Sequence, residues 1–119
     1  MKFHTDAAFE SSCLQGRIRI NYAELVQIFG PENCDGDGYK VDAEWMIKFV
    51  DGTYATIYNY KDGRNYCGDA GLELHEITDW HVGGMSQQSV WAVQGAIDDH
   101  RAGIIDMDCK EVKSFPQLN

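Results

Sequence analysis

No stretch of this 119-residue chain approaches the ~20 consecutive apolar residues that cross a bilayer, and the start, MKFHTDAAFESS, lacks the apolar run of a signal peptide. The four cysteines, Cys13, Cys34, Cys67 and Cys109, include no C-x-x-C pair, so no zinc ribbon or thioredoxin-type redox motif is encoded. These absences point to an intracellular protein whose thiols stay reduced and mostly packed. Basic residues are also scarce. Ten Lys and Arg against nineteen Asp and Glu leave a formal charge of −9. Such a body repels nucleic-acid backbones and anionic membranes, so any phosphate-bearing partner needs a local basic pocket.

Catalytic signatures are missing as well. There is no G-x-S-x-G elbow, and Ser86 reads as a helix cap rather than a nucleophile. The glycine-rich stretch GRNYCGDAG lacks the G-K-[ST] ending of a phosphate-binding loop and the strand-then-helix setting of a dinucleotide fingerprint. His75, Asp79 and His81, with Cys67 near in sequence, can be drawn as a zinc or acid/base site on a strand LHEITDWHV. Their spacing matches no ligand pattern. The stretch NCDGDGYKVDAE imitates a calcium loop, with Asn33, Asp35, Asp37, Gly38 and Glu44 at EF-hand spacing. Gly30-Pro31 stops the preceding helix, however, and the residues that follow alternate as a strand. The expectation is an acidic turn leading into a strand, with no metal and no cofactor.

What the chain does contain is 44% hydrophobic and 12% aromatic residues, enough for one domain over 1–119 with a real core. CLQGRIRI alternates as a strand, with Arg17 and Arg19 opposite Ile18 and Ile20. NYAELVQIFGP reads as a helix capped by Asn21, with a stripe of Leu25, Ile28 and Phe29 and a Gly-Pro stop. KVDAEWMIKFVDGTYATIYNYK reads as a β-hairpin. A two-residue turn at Asp51-Gly52 would set Phe49 opposite Tyr54, Ile47 opposite Thr56 and Trp45 opposite Tyr58. One face would then be aromatic, and the other would carry Glu44 and Asn59. SQQSVWAVQGAIDDH follows as a helix with Val90, Val93 and Ile97 in one stripe and Trp91 on its flank. The first dozen residues suggest a loose end or a short edge strand, and the last sixteen a short strand or helix. The predicted fold is α+β: a small antiparallel sheet with a central hairpin (about 40–60), packed against a C-terminal helix (about 86–101) and a short N-terminal helix (about 22–29).

The run KVDAEWMIKFVDGTYATIYNYKDGRNY, closed by TDWHVGG, resembles a group of small phage-encoded proteins with a D-A-E-W strand, a D-G-T turn and a T-D-W-H-x-G-G close. The best match is the first Thoeris anti-defence family, sponges that sequester cyclic ADP-ribose signals. This resemblance implies a non-enzymatic homo-oligomer in the cytoplasm of the infected bacterium. It would hold a small cyclic nucleotide between subunits, cyclic oligonucleotides included. It further implies that Asn59 reads the ligand, that Phe49 stacks on the base with Trp45 behind it, and that phosphates meet arginines drawn from Arg101, Arg64, Arg17 and Arg19. Read from its residues alone, Arg64 sits at a loop tip beside Asn65 and Tyr66, where stacking and phosphate pairing can combine. The alternative from a different class is an acidic inhibitor that docks on a host defence nuclease as a nucleic-acid mimic.

Overall fold

A computed structural model of the protein describes residues 3–4, 13–34 and 40–103. Five strands, β1 (Phe3–His4), β2 (Cys13–Arg19), β3 (Glu44–Phe49), β4 (Tyr54–Tyr58) and β5 (Asp79–Gly84), form one antiparallel sheet in the order β1-β3-β4-β5-β2. Helices α1 (Tyr22–Phe29) and α3 (Gln88–Arg101) contribute to one core with the sheet, and α2 (Arg64–Cys67) is a single turn in the loop between β4 and β5. The expected α+β architecture is the one the chain adopts. Residues 35–39, which hold most of the acidic turn, and 104–119 lie outside the described residues, as does most of the first dozen.

The local signals of α1 act as read. The Asn21 side chain accepts a hydrogen bond from the Glu24 amide at 2.8 Å, and Gly30, at φ 84°, ends the helix. Leu25, Ile28 and Phe29 are buried. Two tryptophans hold the helix at both ends. The Trp80 indole N–H donates to the Ile20 carbonyl at 2.9 Å, just before α1, and the Trp45 indole donates to the Gly30 carbonyl at 2.8 Å, just after it. The two indoles meet edge to face with centroids 5.5 Å apart, an arrangement that favours the ring quadrupoles. The Tyr22 hydroxyl donates to Glu32 at 2.7 Å. That bond, with burial and the Glu32 charge, pushes its pKa up to about 12.

Three expectations need correction. The hairpin closes at Phe49 and Thr53 rather than at Val50 and Thr53. The Phe49 amide donates to the Thr53 carbonyl at 2.8 Å, leaving a three-residue loop whose last member, Gly52, sits at φ 94°. The register is therefore Lys48 with Tyr54, Ile47 with Ala55, Met46 with Thr56, Trp45 with Ile57 and Glu44 with Tyr58. A one-residue slip exchanges the two faces of β4. Trp45 and Phe49 stay in the core with Ala55 and Ile57, whereas Tyr54 and Tyr58 turn to the opposite face, so the predicted four-ring aromatic face does not form. Asn59 accordingly falls on the Trp45 and Phe49 side, not opposite Glu44.

LHEITDWHV is not one strand either. Leu74–Glu76 is a 3₁₀ turn closed by reciprocal bonds between Glu73 and Glu76, and the strand begins only at Asp79. His75 and His81 therefore share no strand. In α3 the core side is Ser89, Ala92, Val93, Ala96 and Ile97; Val90 is half-buried and Trp91 points to solvent. Ser86 does act at its start, its hydroxyl accepting from the Gln88 amide at 3.2 Å.

Gly52 has open space where a Cβ would stand, so only its backbone conformation resists substitution. Gly52→Ala is expected to lower stability by about 1 kcal/mol, read as a shifted urea midpoint with unchanged slope. An unshifted midpoint would remove glycine's role in setting the register.

Candidate functional site

Because α1 and α3 share the core face, the chemistry-bearing side chains gather on the other face of the sheet. Strand pairing runs Arg17 to His81 to Tyr58 to Glu44, one transverse row across β2, β5, β4 and β3. The next row pairs Arg19 with Asp79. The Tyr58 ring stands edge-on to His81 at 5.4 Å, and Tyr60 tilts over the same imidazole at 5.7 Å. Along the sheet, the Lys48 ammonium lies 5.4 Å from the Tyr54 ring centre. Arg17 bonds Asp79 at 3.2 Å across exposed surface, a contact worth little by itself and easily exchanged. The result is a shallow surface of three rings with the Arg17 cation at one end of the row and the Glu44 carboxylate at the other. It is suited to base stacking with phosphate pairing on the Arg17 side.

Electrostatics single out His81. Partial burial, then the Arg17 guanidinium, hold its pKa below the ordinary histidine value, while Asp79 and Asp62 pull weakly the other way. Tyr58 is pushed up by burial, with Glu44 and Tyr60 adding to it. At neutral pH the row therefore presents a neutral imidazole and a neutral phenol beside a guanidinium.

The residues implied by the resemblance lie elsewhere. Trp45 and Phe49 are fully buried in the core. Asn59 is fully buried too, and its amide is spent on the fold. Its oxygen accepts from the Asp42 and Ala43 amides at 2.7 and 3.1 Å, and its nitrogen donates to the Asp42 and Asp62 carboxylates at 2.8 and 2.9 Å. Asp42 continues the network by accepting from the Asn65 amide of α2 at 3.1 Å. Arg101 bonds Glu24 at 2.9 and 3.2 Å and joins α3 to α1; this pairing holds Glu24 below the ordinary carboxylate range. Arg64 pairs with Glu73 at 3.0 Å within its own loop. Of the predicted ligand residues, only Arg17 and Arg19 stand on the open face. His81, Tyr58, Tyr60 and Tyr54 are the additions.

Other candidates recede. Glu44, the twelfth position of the imitated calcium loop, is a strand residue, and Asn33 spends its side chain pairing with both backbone groups of Met46. Among the described residues no group of three or more His, Cys, Asp or Glu is placed to hold a metal. A groove of about 500 Å³ lies between the hairpin tip and the start of α3. Its one charged lining residue, Asp51, is an anion, the wrong sign for a phosphate. No helix among the described residues is long and apolar enough to cross a membrane. Comparison with protein-family models and with curated proteins finds no match, so the functional reading rests on geometry and on the motif resemblance.

Two outcomes follow. Asn59→Ala strands two backbone donors and leaves Asp42 and Asp62 without the amide between them. It is expected to cost about 3 kcal/mol in chemical denaturation, and a loss under about 1 kcal/mol would contradict a structural amide. His81 has a folded-state pKa below its unfolded one, so the unfolded chain takes up its proton first as pH falls. Its contribution to stability is intact above the unfolded value of 6.5 and declines as pH drops through that value toward the folded one. His81→Gln should remove that part of the pH dependence. Identical pH profiles for the two proteins would contradict the assignment.

Proposed function

We propose that this protein is a non-catalytic sponge for a small cyclic nucleotide, a cyclic ADP-ribose isomer or a cyclic oligonucleotide, and that a phage uses it in the host cytoplasm to silence an antiviral signal. The observation that carries this reading is the row of Arg17, His81 and Tyr58, with Tyr60 tilted over the imidazole, on the face opposite the helices. Stacking on tyrosine tolerates any base, and an exposed guanidinium can leave Asp79 for a phosphate at little cost. The charge of −9 disfavours long polyanions, whereas a small ligand senses mainly the cations beside it. The motif run from Lys40 to Gly84 supports the same reading. The ligand residues proposed here are Arg17, Arg19, His81, Tyr58 and Tyr60. Arg101 is tied to Glu24 between α3 and α1. Arg64 stands in the loop between β4 and β5 rather than in the row, its ion pair with Glu73 as exposed as that of Arg17. Asn59, Phe49 and Trp45 act from the core.

Calorimetric titration with cyclic ADP-ribose isomers and cyclic di- and trinucleotides tests this. Binding is expected with at least one of them, weakened roughly tenfold in Arg17→Ala and in Tyr58→Ala, since each loses a contact of about 1.4 kcal/mol. The ligand should be recovered unmodified after the complex is heated. No heat with any of these nucleotides would overturn the proposal, and capture of a basic host protein in salt-sensitive fashion would favour the acidic-inhibitor reading instead.

A further inference from the structure

The row of rings ends, on its β3 side, in the Glu44 carboxylate, so a second phosphate finds no seat along it. The chain just past β4 offers one. Among the described residues Lys61 is the sole non-glycine with a positive φ, at 62°, in the left-handed region that side chains rarely occupy. Its backbone is tied there on both sides. The Lys61 amide donates to the Lys40 carbonyl at 2.7 Å, and the Lys61 carbonyl accepts from the Cys67 thiol at 3.3 Å. Asp42 pins the same loop by accepting from the Asn65 amide in α2.

From that turn the Lys61 side chain reaches two phenols. Its ammonium lies 5.3 Å from the centre of the Tyr60 ring and 5.4 Å from that of Tyr66, and both rings are exposed. Arg17, Arg64 and Arg101 are each paired with a carboxylate, whereas Lys61 has no carboxylate partner among the described residues. The adjacent Asp62 carboxylate accepts from the Asn59 amide instead. In a chain with nineteen acidic residues against ten Lys and Arg, a lysine held by rings alone keeps its charge for an external anion.

We propose that Lys61 is the second phosphate-binding cation of the open sheet face, and that the ligand carries two phosphates set apart by a nucleoside, as a cyclic dinucleotide does. The inference rests on the nucleotide reading and narrows it. Arg17 borders His81 from β2, Tyr60 tilts over the same imidazole from the β4 side, and Lys61 lies on the Tyr60 ring. The two cations thus flank one pair of rings. Strands β2 and β4 stand two spacings apart, about 10 Å. A pyrophosphate, whose phosphorus atoms share one oxygen, reaches only one of the cations. Two phosphates with a nucleoside between them reach both while a base covers the rings.

Calorimetric titration of the full chain and of Lys61→Met with a cyclic dinucleotide, its linear 5′-phosphorylated counterpart and cyclic ADP-ribose isomers tests this. Wild type should bind the cyclic dinucleotide about tenfold more tightly than the others, the linear form lacking the advantage of a preorganised ring. Lys61→Met should weaken that binding roughly tenfold and make it less sensitive to salt, with any cyclic ADP-ribose binding unchanged. Lys61→Gly, which suits the left-handed backbone, should keep or raise the melting temperature yet lose the same affinity, and Lys61→Arg should recover most of it. A purely structural lysine cannot produce that combination. A wild type that prefers a cyclic ADP-ribose isomer, or a Lys61→Met protein with wild-type affinity, would overturn the assignment and leave the sponge reading standing. Preference for the linear dinucleotide, or no heat with any of these ligands, would overturn both.

Discussion

The fold and its exposed chemistry depend on one backbone constraint, the left-handed conformation of Gly52 at φ 94°. It lets the hairpin turn in three residues and fixes Phe49 against Thr53. From there every residue of β4 is assigned a side. Ala55 and Ile57 enter the core beneath the helices, and Tyr54, Thr56 and Tyr58 face the other way. With a two-residue turn the tyrosines would be packed inside and Ile57 would face outward, an exchange that costs apolar burial. The row through Arg17, His81 and Tyr58 exists because this register was selected.

Past the end of the hairpin, the same parity carries Asn59 inward, where a carboxamide serves as no other side chain would. It must accept from two backbone amides and donate to two carboxylates at once. Aspartate would have no donors there and would place a third anion beside Asp42 and Asp62. The network ties the end of β4 to the approach of β3 and, through Asp42, to the first turn of α2. A residue that reads as a ligand contact from its motif therefore acts as the fastening of a loop.

Much of the architecture was legible because its signals are local. The Asn21 cap, the Leu25, Ile28 and Phe29 stripe and the Gly-Pro stop are all contained within α1 and its flanks. The hairpin was visible as a hairpin, but Asp-Gly fits both a two-residue turn and the end of a three-residue loop. The deciding signal was the alternation after the turn, small or aliphatic at Ala55 and Ile57, amphipathic at Tyr54, Thr56 and Tyr58. Leu74 and Glu76 mimic strand alternation, and the Glu73 and Glu76 reciprocal bonds that make a turn of them resemble a helix start. The site was legible only in part. Arg17 and Arg19 follow from simple alternation, whereas the company of His81, Tyr58 and Tyr60 depends on pairing three strands in one register. The Asn59 network depends on loops brought together only by the fold.

The paired tryptophans bear on how the molecule opens. An eight-residue helix has little stability of its own, and α1 would ordinarily fray from both ends. Here the carbonyls at its two ends are held by indoles rooted in different strands, and those indoles touch each other. Releasing either end means disturbing a ring at the centre of the core. Helix and sheet are thereby joined into one cooperative unit, and the amide hydrogens of α1 should exchange with solvent at the pace of the sheet rather than that of a surface helix.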